Sequence, residues 1–114
     1  NLNDLEKGII RNLKNSLKTY EKVPSKFLEK YNKHIIKSQM IWQEAKLKKD
    51  FKKYAKYLEK TFNFNIQIAE YIKENEKNIY DVLLDKYEEG FTTKDVDNLF
   101  LSVKKPMIEL INYV

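Results

Sequence analysis

Apolar side chains recur every three or four residues along almost the whole chain, which is the period of an α-helix and not that of a β-strand. Residues 2–22 show the pattern most simply, because their apolar side chains form a single stripe on one side of a helix. Only two glycines and two prolines occur among 114 residues, too few for the tight turns of an all-β fold. The sequence therefore predicts an all-α chain of about five helices in an antiparallel hairpin or bundle arrangement.

Capping residues and prolines mark where the first three helices begin and end. Asn3 is a suitable N-cap for the first helix, and Asp50 for the third. The first helix should end at Val23, because a residue that precedes proline is disfavoured in the α conformation, and Pro24 suits the first turn of the next helix. The predicted helices cover residues 2–22, 24–49 and 51–73.

The segment from Tyr80 to Phe100 joins a short helix to a long one. After a polar loop at residues 74–78, a helix of two to three turns is predicted, and Gly90 is suited to the left-handed position that ends it. Thr92 and Asp95 have the spacing of a capping box, which begins the last helix. Pro106 is expected to kink or break that helix.

The third helix is predicted to be apolar on two faces. Its main stripe begins at Phe51, and a second row lies about 130° away around the helix axis. Such a helix needs packing partners on both sides, so we expect further protein, self-association or a three-layer core. The second row contains Tyr57, Phe64, Ile68 and Tyr71.

The ends of the chain also favour a larger protein. The chain begins at Asn1 and not at a methionine, and it stops at Val114 within an apolar helical pattern. At 114 residues it is one domain at most. We therefore predict a single helical segment, residues 1–114, that has been cut from something longer.

The chain is moderately basic, with a formal net charge of +5 and a pI of about 9.2. Almost all of the positive charge is lysine, since Arg11 is the only arginine, and specific base recognition favours arginine. A row of lysines on the second helix is either a phosphate-binding strip or, as we expect, a solvated face. The row contains Lys26, Lys30, Lys33 and Lys37.

Side chains for catalysis are scarce. The chain has no cysteine and one histidine, His34, whereas a zinc site needs three or four ligands. A packing or surface role is expected for His34, and a place in the core is expected for Trp42. Asp81, Asp85 and Glu88 share one face of the short helix, where they either accept a cation or amine or, more simply, are solvated. No catalytic or metal-ligating residue is predicted within this chain.

Several segments nevertheless resemble one enzyme family. Residues 80–100, YDVLLDKYEEGFTTKDVDNLF, are similar to a segment of the thermostable carboxypeptidases of the Taq and Pfu type, metallopeptidase family thirty-two. Glu6–Arg11, Val23–Phe27 and Trp42–Lys46 are similar to further motifs of that family, in the same order. Glu89 departs from the pattern, because many relatives have proline there.

The resemblance implies an all-helical enzyme that removes C-terminal residues from peptides with zinc or cobalt, is cytoplasmic, and forms homodimers. This chain would be the N-terminal region of such an enzyme, would form a wall or lid of the substrate groove, and would be inactive alone, because the family's H-E-x-x-H motif is absent from it. The missing catalytic part and the peptide substrate would be its partners, with no membrane involved and nucleic acid not expected. The family-motif residues, expected to be structural or groove-facing, are Trp42, Tyr80, Asp81, Leu84, Asp85, Tyr87, Glu88, Gly90 and Thr92.

Two other functions remain open from the residues alone. The lysine rows could make the chain a basic module that binds nucleic acid or an acidic partner. The second apolar faces could instead make it a self-associating helical protein.

Overall fold

The computed structural model describes residues 1–114 and contains five helices and no strand. This confirms the predicted all-α class and the number of helices. The predicted ends of the first three helices are correct to within two residues. The helices are α1 Asp4–Lys22, α2 Ser25–Lys48, α3 Phe51–Ile72, α4 Ile79–Leu84 and α5 Thr93–Tyr113.

The chain divides into two compact units. The first, Asn1–Lys73, contains α1, α2 and α3, and α3 packs against both other helices. The second, Glu74–Val114, contains α4 and α5, which pack against each other. Whether the whole chain acts as one helical segment of a longer enzyme stays a prediction.

An aromatic seam holds α2 and α3 together as an antiparallel hairpin. The Phe64 ring lies edge-on to Phe27 and Tyr31, with centroids 5.4 and 5.8 Å away. Farther along the hairpin, His34 stacks on Tyr57 at 6.2 Å. Residues later in α2 therefore contact residues earlier in α3, as expected for an antiparallel pair of helices. The seam uses the second apolar row predicted for α3, and edge-on aromatic pairs add to the stability that burial alone provides.

Much of the remaining apolar surface lies open. On α3, Ala69 is fully buried and Ile72 is 3% exposed, whereas Phe62 is 61% exposed. The α1 stripe and every residue of α5 from Asp97 onward are exposed. The prediction that Trp42 belongs to the core is wrong, because its side chain is 41% exposed. It lines an open hollow with Phe51 and Tyr54 of α3, and the Lys46 ammonium lies 4.9 Å from the centre of its ring.

Two local predictions also need correction. Pro106 does not break α5, which continues to Tyr113. The fourth helix is shorter than predicted, since α4 ends at Leu84 and the chain continues in turns to Gly90.

The turn between α2 and α3 holds a lysine in the left-handed conformation. Lys49 has φ 52°, and it is the only non-glycine residue with positive φ. Its N–H donates to the Lys46 carbonyl at 3.3 Å and that of Asp50 donates to Ala45 at 2.9 Å. This is the Schellman pattern, which favours glycine at the position of Lys49.

Lys49→Gly should therefore stabilise the chain, by up to about 1 kcal/mol, because glycine removes the steric cost of a left-handed residue. Urea unfolding followed by circular dichroism checks this. Lys56→Gly, within α3, is the matched control and should destabilise by about 1 kcal/mol. A loss of stability in Lys49→Gly would contradict the assignment of strain to this turn.

Candidate functional site

The corner between α4 and α5 contains most of the residues selected from the sequence, and Asp81 is its main link. One carboxylate oxygen, Oδ1, accepts a hydrogen bond from the Thr93 backbone N–H at 2.7 Å and another from the Thr93 hydroxyl. Asp81 therefore caps the first turn of α5 from outside that helix. A negative charge there also interacts favourably with the positive end of the helix dipole.

A second carboxylate of the corner binds the backbone of the turn. Asp85 Oδ1 accepts from the Gly90 N–H at 2.8 Å, and Gly90 has φ 81°. The left-handed conformation predicted for Gly90 is thus confirmed, although it lies six residues beyond the end of α4. The interaction holds the Gly90 peptide in the turn that precedes α5.

The predicted capping box at the start of α5 is confirmed. The Thr92 N–H donates to Asp95 Oδ2 at 2.9 Å, and the Asp95 N–H donates to the Thr92 hydroxyl at 3.4 Å. The Thr92 hydroxyl also donates to Asp95, and this bond is the main cause that lowers the pKa of the Asp95 carboxyl. The box begins α5 in spite of the short aspartate side chain.

The acidic face predicted for the short helix does not form as a continuous row. Glu88 lies past the end of α4 and is exposed, whereas Asp81 and Asp85 are half-buried and occupied by backbone donors. Leu84 is half-buried, and Tyr80 and Tyr87 are 59% and 85% exposed. The corner is thus a hydrogen-bonded joint that presents two tyrosines to solvent.

No group of three or more metal-ligating side chains comes together anywhere in the chain. Since a protein metal centre needs three or four such ligands, the residues present do not fit one. No helix combines the length and the apolarity that crossing a membrane requires.

A basic groove is the second candidate site, and it lies between α2 and α3. It has a volume of about 560 Å³ and contains no carboxylate among its lining residues. The sequence pattern indicated the row of lysines on α2 but not that two lysines of α3 lie across the groove from it. Pairing α2 and α3 as an antiparallel hairpin would have placed the two sets of lysines opposite each other. The lining residues are Lys30, Lys33, His34, Lys37, Lys56, Tyr57, Lys60 and Phe64.

His34 forms the floor of this basic groove and is 8% exposed. Its Nε2 lies 2.9 Å from the Thr61 hydroxyl oxygen, whose own hydrogen is donated to the Tyr57 carbonyl. Nε2 must therefore carry the hydrogen and donate it, because the hydroxyl has only one to give. The expected packing role of His34 is confirmed.

The pKa of His34 is lowered, first by burial of the imidazole and next by the positive charge of Lys60. The unfolded chain therefore takes up this proton at a higher pH than the folded chain does. It follows that the free energy of unfolding falls as the pH falls below about 6.5. Urea unfolding at a series of pH values between 7.5 and 5 (roughly the range in which histidine titrates) should show this fall.

His34→Gln is the control, since glutamine can still donate to Thr61 but does not titrate. Acidic groups that lose their charge at lower pH affect both proteins equally. The difference in stability between them should therefore change with pH, and a constant difference would contradict the lowered pKa.

The whole of the chain matches one known protein family. The family described as Carboxypeptidase Taq (M32) metallopeptidase matches residues 1–114, the whole of the chain. The chain belongs to this carboxypeptidase Taq family. The resemblance inferred from the motifs is thereby confirmed.

Relatives within the carboxypeptidase Taq family are much longer than this chain. Thermostable carboxypeptidase 1 of Pyrococcus furiosus is 35% identical over 114 residues, which is 100% of the chain and 23% of the relative. Carboxypeptidase 1 of Bacillus subtilis is 34% identical over 97% of the chain and 23% of the relative. A solved structure of the Pyrococcus furiosus carboxypeptidase, described as apo-Mg, matches 99% of the chain and 22% of its own length with a TM-score of 0.88.

The chain therefore spans about a quarter of the length of the carboxypeptidases that it matches. The roles predicted for Trp42 and for the α4–α5 corner residues remain predictions. Trp42 lies in the first unit and the corner in the second.

Proposed function

We propose that this chain is a helical part of a metal-dependent carboxypeptidase that hydrolyses C-terminal residues from peptides. The observation that supports the proposal most strongly is the match over the whole chain, by family, by 35% identity and by a TM-score of 0.88. The same helices in the same arrangement favour the same structural role. In that role the chain forms a wall or lid of the substrate groove.

The exposed apolar side chains support a structural role within a larger protein. Leu5 on α1 is 74% exposed, Phe62 on α3 is 61% exposed and Leu101 on α5 is 71% exposed. Exposed apolar side chains of this size and number are typical of elements that pack against other protein. We propose that the portions of the relatives outside the matched segment provide that cover.

The corner has a positioning role in this proposal. Asp81 and Asp85 are occupied by backbone N–H groups, so they fix the direction of α5 and do not act on substrate. Tyr80, Tyr87 and Glu88 are exposed, and we assign to them, as family-motif residues, the side of the corner that faces the groove.

The metal of the proposed enzyme would be zinc or cobalt, held by residues outside the matched segment. The metal's chemistry in such an enzyme is the activation of water for attack on the peptide carbonyl. We further propose that the enzyme acts in the cytoplasm as a homodimer. These assignments rest on the family resemblance alone.

Two enzyme preparations test the proposal. The 114-residue chain alone, with added zinc or cobalt, should release no C-terminal amino acid from a blocked dipeptide, because it lacks a ligand set. A chimera of the Pyrococcus furiosus carboxypeptidase that carries this chain in place of its matched segment should release it. Metal-dependent release by the chain alone would contradict the assignment of the catalytic residues.

A second chimera tests whether the Pyrococcus furiosus enzyme tolerates replacement of its matched segment by that of a relative. It carries the matched segment of Bacillus subtilis carboxypeptidase 1 in the same host. If the Bacillus chimera is active and the chimera with this chain is not, the proposed role fails.

A further inference from the structure

The α2–α3 hairpin concentrates positive charge in its basic groove without balancing it. Five of the lining side chains are lysines, and none is acidic. Lys33 pairs with Glu29 at 2.5 Å outside the lining set, and Lys60 lies 5.9 Å above the Phe64 ring. Lys30, Lys37 and Lys56 make no ion pair. The uncompensated charges therefore point to an anionic ligand and not to an internal salt-bridge network.

The spacing of the lysines indicates an elongated ligand. Lys30, Lys33 and Lys37 follow one side of α2 over roughly 10 Å, at a rise of about 1.5 Å per residue. Lys56 and Lys60 lie one helical turn apart on α3, on the opposite side of the groove. Two facing rows of cations fit a linear anion that lies along the hairpin. A single phosphate or carboxylate would reach only part of the set.

The type of cation suits a ligand with dense negative charge. All five groups are ammonium ions and none is a guanidinium. The planar fork of arginine binds carboxylate and phosphate alike through paired hydrogen bonds, whereas lysine acts as a compact point charge without that fixed geometry. Sugar and base recognition would need exposed aromatic faces, but Tyr57 stacks on His34 and Phe64 packs edge-on in the seam. The aromatic residues are therefore engaged in packing.

We propose that the basic groove between α2 and α3 binds a linear polyphosphate, with the two lysine rows along its two sides. This site uses only the α2–α3 hairpin, so it is independent of the proposed carboxypeptidase function. Binding should stabilise the hairpin, because a ligand that binds only the folded chain raises the free energy of unfolding. The electrostatic part of the affinity should weaken as salt increases.

Calorimetric titration of the 114-residue chain with inorganic tripolyphosphate at low salt tests the proposal. The double variant Lys37→Gln, Lys56→Gln should bind at least about tenfold more weakly, since it removes one charge from each side of the groove, and tenfold corresponds to about 1.4 kcal/mol. The matched control is Lys14→Gln, Lys104→Gln, which has the same net charge but lies on α1 and α5. Equal weakening in both variants, or no binding by the unmodified chain, would overturn the proposal.

The single histidine provides a second measurement. His34 faces Lys30, Lys33 and Lys37 on its own helix and Lys56, Tyr57 and Lys60 on α3. A bound polyanion beside these groups should raise the pKa of His34, which NMR of its ring hydrogens measures without overlap from other histidines. An unchanged His34 titration in the presence of saturating tripolyphosphate would place the ligand elsewhere and overturn the site.

Two comparison ligands separate the chemistry of phosphate from that of other polyanions. An oligoglutamate peptide that binds as tightly as tripolyphosphate and loses the same affinity in the double variant would indicate an acidic-peptide surface instead. A single-stranded oligothymidylate that binds more tightly than tripolyphosphate would indicate a nucleic-acid surface. Either outcome would contradict the proposal, whereas a clear preference for tripolyphosphate would support it.

Discussion

Phe64→Ala should lower the free energy of unfolding by about 2 kcal/mol. The centre of the Phe64 ring lies within 5.8 Å of those of Phe27, Tyr31 and His34, so its removal loses these ring contacts and the burial that they provide. The loss should separate α2 from α3 and reduce helicity, because a helix of this length depends on packing for its stability. Urea unfolding followed by circular dichroism measures the change.

Phe62→Ala is the control on the same helix. Phe62 is 61% exposed, so the same chemical change there should cost less than about 1 kcal/mol in the isolated chain. Similar losses at the two positions would contradict the assignment of the seam to the second apolar row of α3. In the Pyrococcus furiosus chimera described above, the stability losses of Phe62→Ala and Phe64→Ala should become more similar, because the rest of the proposed enzyme covers the face of α3 that contains Phe62.

Asp81→Ala should destabilise the second unit by about 2 kcal/mol. The change removes the acceptor for the Thr93 N–H and for the Thr93 hydroxyl, and hydrogen bonds to a charged group contribute about 1.5–3 kcal/mol. We expect the Thr93 amide to lose protection against hydrogen exchange before the amides of the α2–α3 hairpin do. NMR-detected hydrogen exchange resolves the two units separately.

Two further variants make the test of Asp81 specific. Asp81→Asn keeps an oxygen acceptor and should recover part of the loss. Asp97→Ala, which removes an exposed carboxylate about one turn beyond Thr93 on α5, should change stability by less than about 0.5 kcal/mol. If Asp97→Ala lowered the protection of the Thr93 amide against hydrogen exchange as much as Asp81→Ala does, the assignment of Asp81 as the link between α4 and α5 would be wrong.

The local rules of helix formation predicted the elements well, because the relevant interactions lie within a few residues of each other. Asn3, Asp50 and Thr92 cap α1, α3 and α5 as their residue types suggest, and the side chain of each can reach the start of its own helix. The left-handed conformation of Gly90 follows from the same local logic.

Longer-range choices could not be made from periodicity. The third helix has two apolar faces, and the sequence pattern does not say which of them packs against α2. In the structure the aromatic row packs against α2, because its rings contact Phe27 and Tyr31. Trp42 was expected in the core, yet it lines an open hollow beside Phe51 and Tyr54, while Ala45 on the same helix is buried. Pro106 was expected to kink or break α5, but α5 continues through it to Tyr113, because proline removes the backbone donor of one residue only.

In the candidate site, too, the contacts between residues close in sequence could be predicted and those between distant residues could not. The contacts of Asp85 and Thr92 within the corner follow from short spacings, whereas the bond from Thr93 to Asp81 joins residues twelve positions apart. The groove around His34 depends on the register of two antiparallel helices, which no single helical wheel contains. The family resemblance identified the chain but did not identify either set of contacts.

The carboxypeptidase activity of the chimera tests the central claim most directly. With this chain in place of the matched segment of the Pyrococcus furiosus enzyme, we predict metal-dependent release of C-terminal residues with kcat/KM within about tenfold of the unmodified enzyme, a difference of about 1.4 kcal/mol in activation free energy. A folded chimera that binds metal but releases no C-terminal residue, while the Bacillus chimera remains active, would contradict it.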